Sequence, residues 1–186
     1  DKNATASTSI QFQVVERRFE ISWGLEEKTL LTRGNTTSEQ ETSYESFNIK
    51  QKNMKKLVFD LTWSDTLPIP APLNLRNNEP DKFNITVSSG VYYGNTSGSS
   101  EELVITLELA EPPENTTITA IDGETAEEYA DSSFESTAGT GSWIAAITAV
   151  DCGDGLLFNG GLFPDNSNSW ELEVKCIYFV PSAQEL

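Results

Sequence analysis

Carboxylates are the residues of this chain that could do chemistry, and the residue that most often works with them is absent. The 186 residues include 29 aspartates and glutamates, 12 lysines and arginines, two cysteines and no histidine. Without histidine, Ser-His-Asp and Cys-His nucleophilic sites and histidine-based zinc sites are excluded. The formal charge of −17 would repel a phosphate backbone, which argues against nucleic acid as a partner.

Two acidic segments have the oxygen-rich composition that suits a hard cation. Residues 122–131 read DGETAEEYAD, and residues 151–155 read DCGDG. Calcium takes carboxylate oxygens, so the calcium candidates are Asp122, Glu124, Asp151 and Asp154. The EF-hand spacing is missing, and the alternative is a solvated acidic surface with Asx turns. No pair of carboxylates is set apart as a glycosidase pair would be, so we predict no catalytic residue, no required metal, no cofactor and no enzymatic activity.

The two cysteines, Cys152 and Cys176, are interpreted as a disulfide. An even pair in an exported protein most often forms one. Cys152 ends one predicted strand and Cys176 lies in the next, so adjacent strands would bring the two sulfur atoms together. The alternative is two buried thiols in a cytosolic protein.

Five N-x-S/T sequons are candidate glycosylation sites: Asn3, Asn35, Asn84, Asn95 and Asn115. Three of them, Asn35, Asn95 and Asn115, fall in turn-like stretches, and Asn84 has the outward parity of a predicted strand. N-glycosylation requires exposed asparagines in an exported protein. The chain begins at Asp1, as a processed mature end would, and no apolar run reaches the length of a membrane span. These features predict an extracellular or cell-surface location with no membrane span. The alternative is that asparagine and threonine are simply common turn and strand residues.

Two surface features predict contacts with other molecules. Tyr92 and Tyr93, beside flexible glycines, are a candidate platform for stacking sugar rings, which makes glycans possible partners. A basic patch consists of Lys50, Lys52, Lys55 and Lys56, whereas residues 83–174 contain no lysine or arginine. A bipolar surface of this kind favours head-to-tail self-association, unless the two sheets mix the two halves of the chain.

The elements that must position these residues are strands, because the apolar residues recur with a period of two. The clearest patterns cover 10–14, 19–23, 57–63, 83–87, 103–109, 143–149 and 172–178. Weaker strands are predicted at 44–49, 118–121 and 127–134, and residues 126–133 would form at most one short helical turn. The predicted fold is an all-β two-sheet sandwich, jelly-roll or immunoglobulin-like, of about nine or ten strands. Residues 10–186 would form a single domain after an N-terminal tail, 1–9, and this tail could extend a donor strand.

The closing segments have a recognisable pattern. Residues 141–151 read GSWIAAITAVD, residues 153–157 read GDGLL and residues 168–174 read NSWELEV. This pattern resembles the final strands of secreted jelly-roll domains of the P-domain type, which accompany subtilisin-like proteases. Residues 61–65 (LTWSD) and 81–87 (DKFNITV) are also similar to strands of archaeal cell-surface or filament β-sandwich proteins. The resemblance implies an exported, non-catalytic β-sandwich.

The predicted function is that of a non-catalytic extracellular structural protein. It would be a repeating subunit of a cell-surface filament or pilus that assembles by donor-strand exchange, through the assembly strand Ile10, Phe12 and Val14. The alternative is a carbohydrate-binding, accessory or adhesion module of a larger secreted protein.

Overall fold

A computed structural model describes residues 13–64, 80–153 and 167–186. The described elements, in chain order, are β1 (Arg17–Ser38), β2 (Thr42–Ile49), β3 (Met54–Trp63), β4 (Lys82–Ser89), β5 (Tyr92–Gly98), β6 (Glu102–Glu108), β7 (Thr116–Ala120), α1 (Gly123–Phe134), β8 (Gly141–Asp151) and β9 (Ser167–Glu185). Sheet A has the strand order β6-β3-β9-β1-β7, and sheet B has the order β2-β8-β4-β5. The predicted all-β two-sheet sandwich is confirmed.

The chain packs into two compact units. Among the described residues, the larger unit consists of those within Leu25–Pro112 and Glu135–Phe179, and the smaller of those within Asp1–Gly24, Pro113–Phe134 and Val180–Leu186. The division falls within β1 and within β9, so neither strand belongs to one unit alone. The interpretation of 10–186 as a single domain stays a prediction.

Alternating side chains of sheets A and B form the core of the larger unit. The fully buried residues of this core include Phe59 and Leu61 in β3, Ile85 in β4 and Ile147 in β8. Trp143, with no exposed surface, packs its ring 5.3 Å from that of Phe59 and donates a hydrogen bond from Nε1 to the Gly139 carbonyl, 2.8 Å away. A period of two is what places these residues on the inner side of each strand.

Gly94 allows β5, at the edge of sheet B, to approach β6, at the edge of sheet A. A Cβ atom at position 94 would lie 2.5 Å from Cγ2 of Ile105 and 3.2 Å from Cγ2 of Val87. Those distances are shorter than a van der Waals contact, so the Ile105 side chain occupies the space that a larger residue would need.

The smaller unit contains α1, where the sequence prediction was wrong. Residues 127–134 were expected to form a weak strand, with at most one helical turn over 126–133, but Gly123–Phe134 form a 12-residue helix. Asp122 caps this helix: its Oδ1 accepts a hydrogen bond from the Thr125 amide at 2.8 Å. Ala126 and Ala130, four residues apart, are buried with Phe19 of β1. Local capping and a small apolar stripe therefore decide the conformation of this acidic segment.

β1 is longer than its apolar pattern indicated. Only residues 19–23 alternate clearly, yet the strand spans 22 residues and includes Asn35, which was expected in a turn. Asn95, also expected in a turn, lies in β5. Sheet neighbours supply the backbone hydrogen bonds that keep a polar segment extended, and a single sequence does not reveal them.

Candidate functional site

The outer side of sheet B is the most unusual surface of the larger unit. Twelve side chains form three complete rows across its four strands: Tyr93–Ser88–Ile144–Ser46, Asn95–Thr86–Ala146–Tyr44 and Ser97–Asn84–Thr148–Thr42. None of these residues is acidic or basic, although 22% of the chain is charged. We refer to the twelve residues as the neutral face.

Two tyrosines occupy opposite margins of the neutral face. Tyr93 in β5 is 66% exposed, and Tyr44 in β2 is 71% exposed. Three strand spacings and one two-residue step separate them, which corresponds to about 14 Å across the strands and about 7 Å along them. Ile144, which is 47% exposed, lies between them in β8. The face thus presents three separate apolar contacts on a polar background.

Cross-strand hydrogen bonds hold the polar side chains of the neutral face in place. Nδ2 of Asn95 donates to Oδ1 of Asn84 at 3.1 Å and to Oγ1 of Thr86 at 2.6 Å. The hydroxyls of Thr42 and Thr148 are 2.8 Å apart. Donors and acceptors fixed by their neighbours lose little conformational entropy when a ligand binds.

The predicted sugar platform of Tyr92 and Tyr93 is divided between the two sides of β5. Tyr93 belongs to the neutral face, but Tyr92 points inward and stacks on Trp143 with ring centroids 5.9 Å apart. Consecutive residues of a strand point to opposite sides, so the two rings cannot act together. Tyr44 was missed, although its alternation with Thr42 and Ser46 was a readable signal.

The sequons differ in exposure. Asn35, Asn95 and Asn115 are exposed, Asn84 is half-buried, and Asn3 lies outside the described residues. The sequons that begin at Asn84 and Asn95 face each other in antiparallel register, with Asn84 opposite Ser97 and Asn95 opposite Thr86. Glycosylation at each of the five stays a prediction.

The outer side of sheet A has the opposite chemistry. Twelve side chains of β6, β3 and β9 form four rows there: Glu108–Lys56–Ile177, Thr106–Val58–Lys175, Val104–Asp60–Glu173 and Glu102–Thr62–Glu171. Seven of these twelve are charged: Glu102, Glu108, Lys56, Asp60, Glu171, Glu173 and Lys175. We refer to these twelve residues as the charged face.

An ion pair between Lys175 and Glu173 lies in the middle of the charged face. Nζ of Lys175 lies 2.8 Å from Oε2 of Glu173, and the Thr29 hydroxyl donates to Oε1 of Glu173 at 2.9 Å. The hydrogen bond from Lys175, followed by that from Thr29, lowers the pKa of Glu173. The same contact with Glu173 is the largest cause of the raised pKa of Lys175. Both side chains are partly solvated, so this pair adds little to stability.

The basic patch is flanked by acids from the lysine-free half of the sequence. Lys52 forms an ion pair with Glu135, and Lys56 lies opposite Glu108 in the neighbouring strand. Lys50 and Lys28 line an open groove of about 340 Å³. These contacts show local mixing of the two halves of the chain, and the bipolar surface stays a prediction.

The calcium candidates have structural roles where they are described. Asp122 caps α1, and the hydrogen bond from the Thr125 backbone is the main cause of its lowered pKa. Oδ1 of Asp151 accepts from the Gly153 amide at 3.0 Å, which is an Asx turn. Glu124 lies in the first turn of α1. Asp154 lies outside the described residues. Within 13–64, 80–153 and 167–186, no three His, Cys, Asp or Glu side chains form a group that could hold a metal ion.

The two cysteines lie in or beside strands of different sheets. Cys176 lies six residues along β9 from Trp170, whose partner in β3 is Trp63. Cys152 directly follows β8 at the Phe83 end of β4, and the Phe83 ring contacts that of Trp63 at 4.8 Å. Six strand residues span about 20 Å, whereas a disulfide requires Cα atoms within about 7 Å. The register does not place the two residues opposite each other, and the disulfide stays a prediction. Burial raises the pKa of the Cys176 thiol. Thiol labelling of the unfolded, unreduced chain tests whether Cys152 and Cys176 are joined by a disulfide.

Comparison with known proteins leaves the family open. No family model matches the chain, and no curated protein matches it. The resemblance of the closing strands to P-domain-type jelly rolls and to archaeal surface proteins therefore stays a prediction. Among the described elements, no helix has the length and hydropathy required to cross a membrane.

Proposed function

We propose that this chain is a non-catalytic extracellular structural protein, a repeating subunit of a cell-surface filament or pilus assembled through its N-terminal strand. The supporting observation is a pair of apolar residues ahead of β1. Val14 and Val15 are 71% and 60% exposed, and residues 13–16 belong to no strand. Apolar side chains in water gain free energy when another surface covers them.

The predicted assembly strand extends this exposed segment. Ile10 and Phe12 lie outside the described residues, and in an extended chain they share the parity of Val14. A donated strand would bury these three side chains and pair an edge of a neighbouring sheet. Contacts of this head-to-tail kind need not close into a ring, so they generate filaments.

The edge that best suits an added strand is β5. Its seven residues, Tyr92–Gly98, include no charged residue and no proline. The other edges carry more protection: β6 has a glutamate at each end, β2 contains Glu45 and β7 has only five residues. Charges and short length are the features that discourage strand addition, which makes β5 the proposed acceptor.

The proposed location follows from the sequons. Asn35 and Asn115 are exposed, which an oligosaccharide requires, and both lie outside the neutral face. Peptide mass mapping of the protein from its native source tests this part of the proposal, because a protein that is never exported carries no N-glycans.

Truncation tests the proposed assembly. Sedimentation velocity and electron microscopy compare the full chain with a chain that lacks residues 1–15, and with Val14→Asp. We expect the full chain to form concentration-dependent oligomers and both variants to remain monomeric. Tyr129→Asp is the control, because Tyr129 is 62% exposed and lies in α1, outside both residues 1–15 and β5; it should assemble normally. A monomeric full chain, or a truncated chain that assembles like the full one, contradicts the proposal.

A further inference from the structure

We infer that the neutral face is a binding surface for a neutral glycan that lies across the four strands of sheet B. This inference does not rest on the assembly proposed above: it uses side chains on the outer side of sheet B, whereas the assembly would use residues before β1 and the backbone groups at the edge of β5. The neutral face is fully described, and its three rows are continuous across β5, β4, β8 and β2.

The first argument concerns charge. The chain has a formal charge of −17, yet the acidic and basic side chains leave this face free. A surface without charged side chains suits an uncharged ligand. If a carboxylate were present on this face, a neutral ligand would remove its hydration and supply no counter-ion in exchange. On these three rows an acidic polysaccharide or a phosphate-bearing ligand has no cation to pair with, and Lys82, two residues beyond Asn84 in β4, lies opposite Asp151.

The second argument concerns hydrogen bonds and rings. Sugars present many hydroxyl groups and apolar ring faces, and the neutral face presents both complements. Its hydroxyls and amides are positioned by the contacts of Asn95 with Asn84 and Thr86. Tyr93 and Tyr44 offer exposed rings at its two margins, about 14 Å apart across the strands. A short linear oligosaccharide covers that span, with its middle part over Ile144 and Ala146.

The test uses full-length protein and a panel of uncharged hexasaccharides built from glucose, mannose, xylose or N-acetylglucosamine. Isothermal titration calorimetry is expected to show binding of at least one of them, and no binding of oligogalacturonate. Tyr93→Ala and Tyr44→Ala should each weaken binding about tenfold, as the removal of an aromatic anchor does. Tyr93→Phe retains the ring and should keep the affinity within about twofold. Tyr129→Ala is the matched control, because Tyr129 of α1 is 62% exposed and outside the neutral face.

Four results overturn the inference. The first is no heat of binding with any hexasaccharide at millimolar concentration. The second is an equal loss of affinity in Tyr129→Ala. The third is self-association of the full chain that Tyr93→Ala abolishes without any saccharide binding, because a second copy would then be the occupant. The fourth is full glycan occupancy at Asn95 in native material, since the protein's own glycan would then cover the face.

Discussion

The outer faces of the two sheets are built on the same alternation and have opposite chemistry. The charged face of sheet A has seven charged side chains among twelve, and the neutral face of sheet B has none among twelve. Both cover a common set of inward-facing apolar residues, so burial does not explain the difference. Sheet stability tolerates charge on a solvated face, as sheet A demonstrates. The absence of charged side chains from the twelve residues of the neutral face is the basis for inferring a neutral ligand there.

One edge strand of each sheet, β6 in sheet A and β5 in sheet B, also differs in charge. β6 of sheet A has a glutamate at both ends, whereas β5 of sheet B has no charged residue. β5 thus provides both an unprotected edge, which the proposed assembly uses, and one margin of the neutral face. A strand added beside β5 would extend the neutral face instead of covering it, so the two proposals are compatible.

The largest expected effect comes from removing the support beneath the neutral face. Trp143→Ala deletes a fully buried ring that contacts Phe59 and Tyr92, and should lower the free energy of unfolding by about 3–5 kcal/mol. Denaturant unfolding measures this change. Ile144→Ala, the next residue in β8 but on the outer side, should cost much less because its side chain is half exposed. If Trp143→Ala and Ile144→Ala lowered the free energy of unfolding equally, the neutral face would itself be part of a core.

A smaller effect should follow from placing a charge on the neutral face. Asn95→Asp removes the Nδ2 donor to Asn84 and Thr86, and should lower the free energy of unfolding by about 0.5–1.5 kcal/mol. Asn35→Asp is the matched control, since Asn35 is exposed and uses its Oδ1 to accept from the Thr36 amide, which aspartate also does. Both substitutions delete a sequon, so glycosylation does not bias the pair. Equal stability of the two variants would contradict the hydrogen-bond ladder of the neutral face.

The smallest expected effect is a difference between the two faces in how they contribute to the pH dependence of stability. The folded state lowers the pKa of Glu173 from its ordinary 4.5, so its contribution to stability is complete above pH 4.5 and is lost as the pH falls through the folded pKa. Glu173→Gln should therefore flatten the loss of thermal stability below pH 4.5. Thr86→Val on the neutral face should leave that pH dependence unchanged, because neither residue titrates in acid. Thermal melts between pH 3 and pH 7 check both expectations, and an effect of Thr86→Val on the acid limb would contradict them.

Several strands were predictable because burial imposes a strict period of two. Leu57, Phe59 and Leu61 in β3, like Ile85 in β4, are fully buried, as their alternation indicated. The second half of β1 was not predictable, because its two leucines, Leu30 and Leu31, are consecutive and mark no single side, and residues 32–38 include no apolar side chain. Helix α1 was predicted wrongly because its sequence signals are only a capping residue, Asp122, and two buried alanines, Ala126 and Ala130. The other residues of the segment are mostly polar or acidic, so the apolar pattern of the helix is weak.

The candidate site was predicted only in part. Tyr93 was identified, but it was paired with Tyr92, which alternation places on the inner side of β5. Tyr44 lies far away in sequence, and its membership of the same face depends on the order β2-β8-β4-β5. The disulfide was inferred from the assumption that consecutive strands are neighbours, whereas β8 and β9 belong to different sheets.

The sequence by itself determined the β class, the buried parity of the main strands and the exclusion of histidine chemistry, because these depend on residue type and local period. Only the tertiary structure decided which strands are neighbours. That order brings uncharged side chains from four strands onto one face and places β8 and β9 in different sheets. Strand pairing joins residues that are distant along the chain, and its register is set by packing across the whole sandwich, so no local pattern contains it.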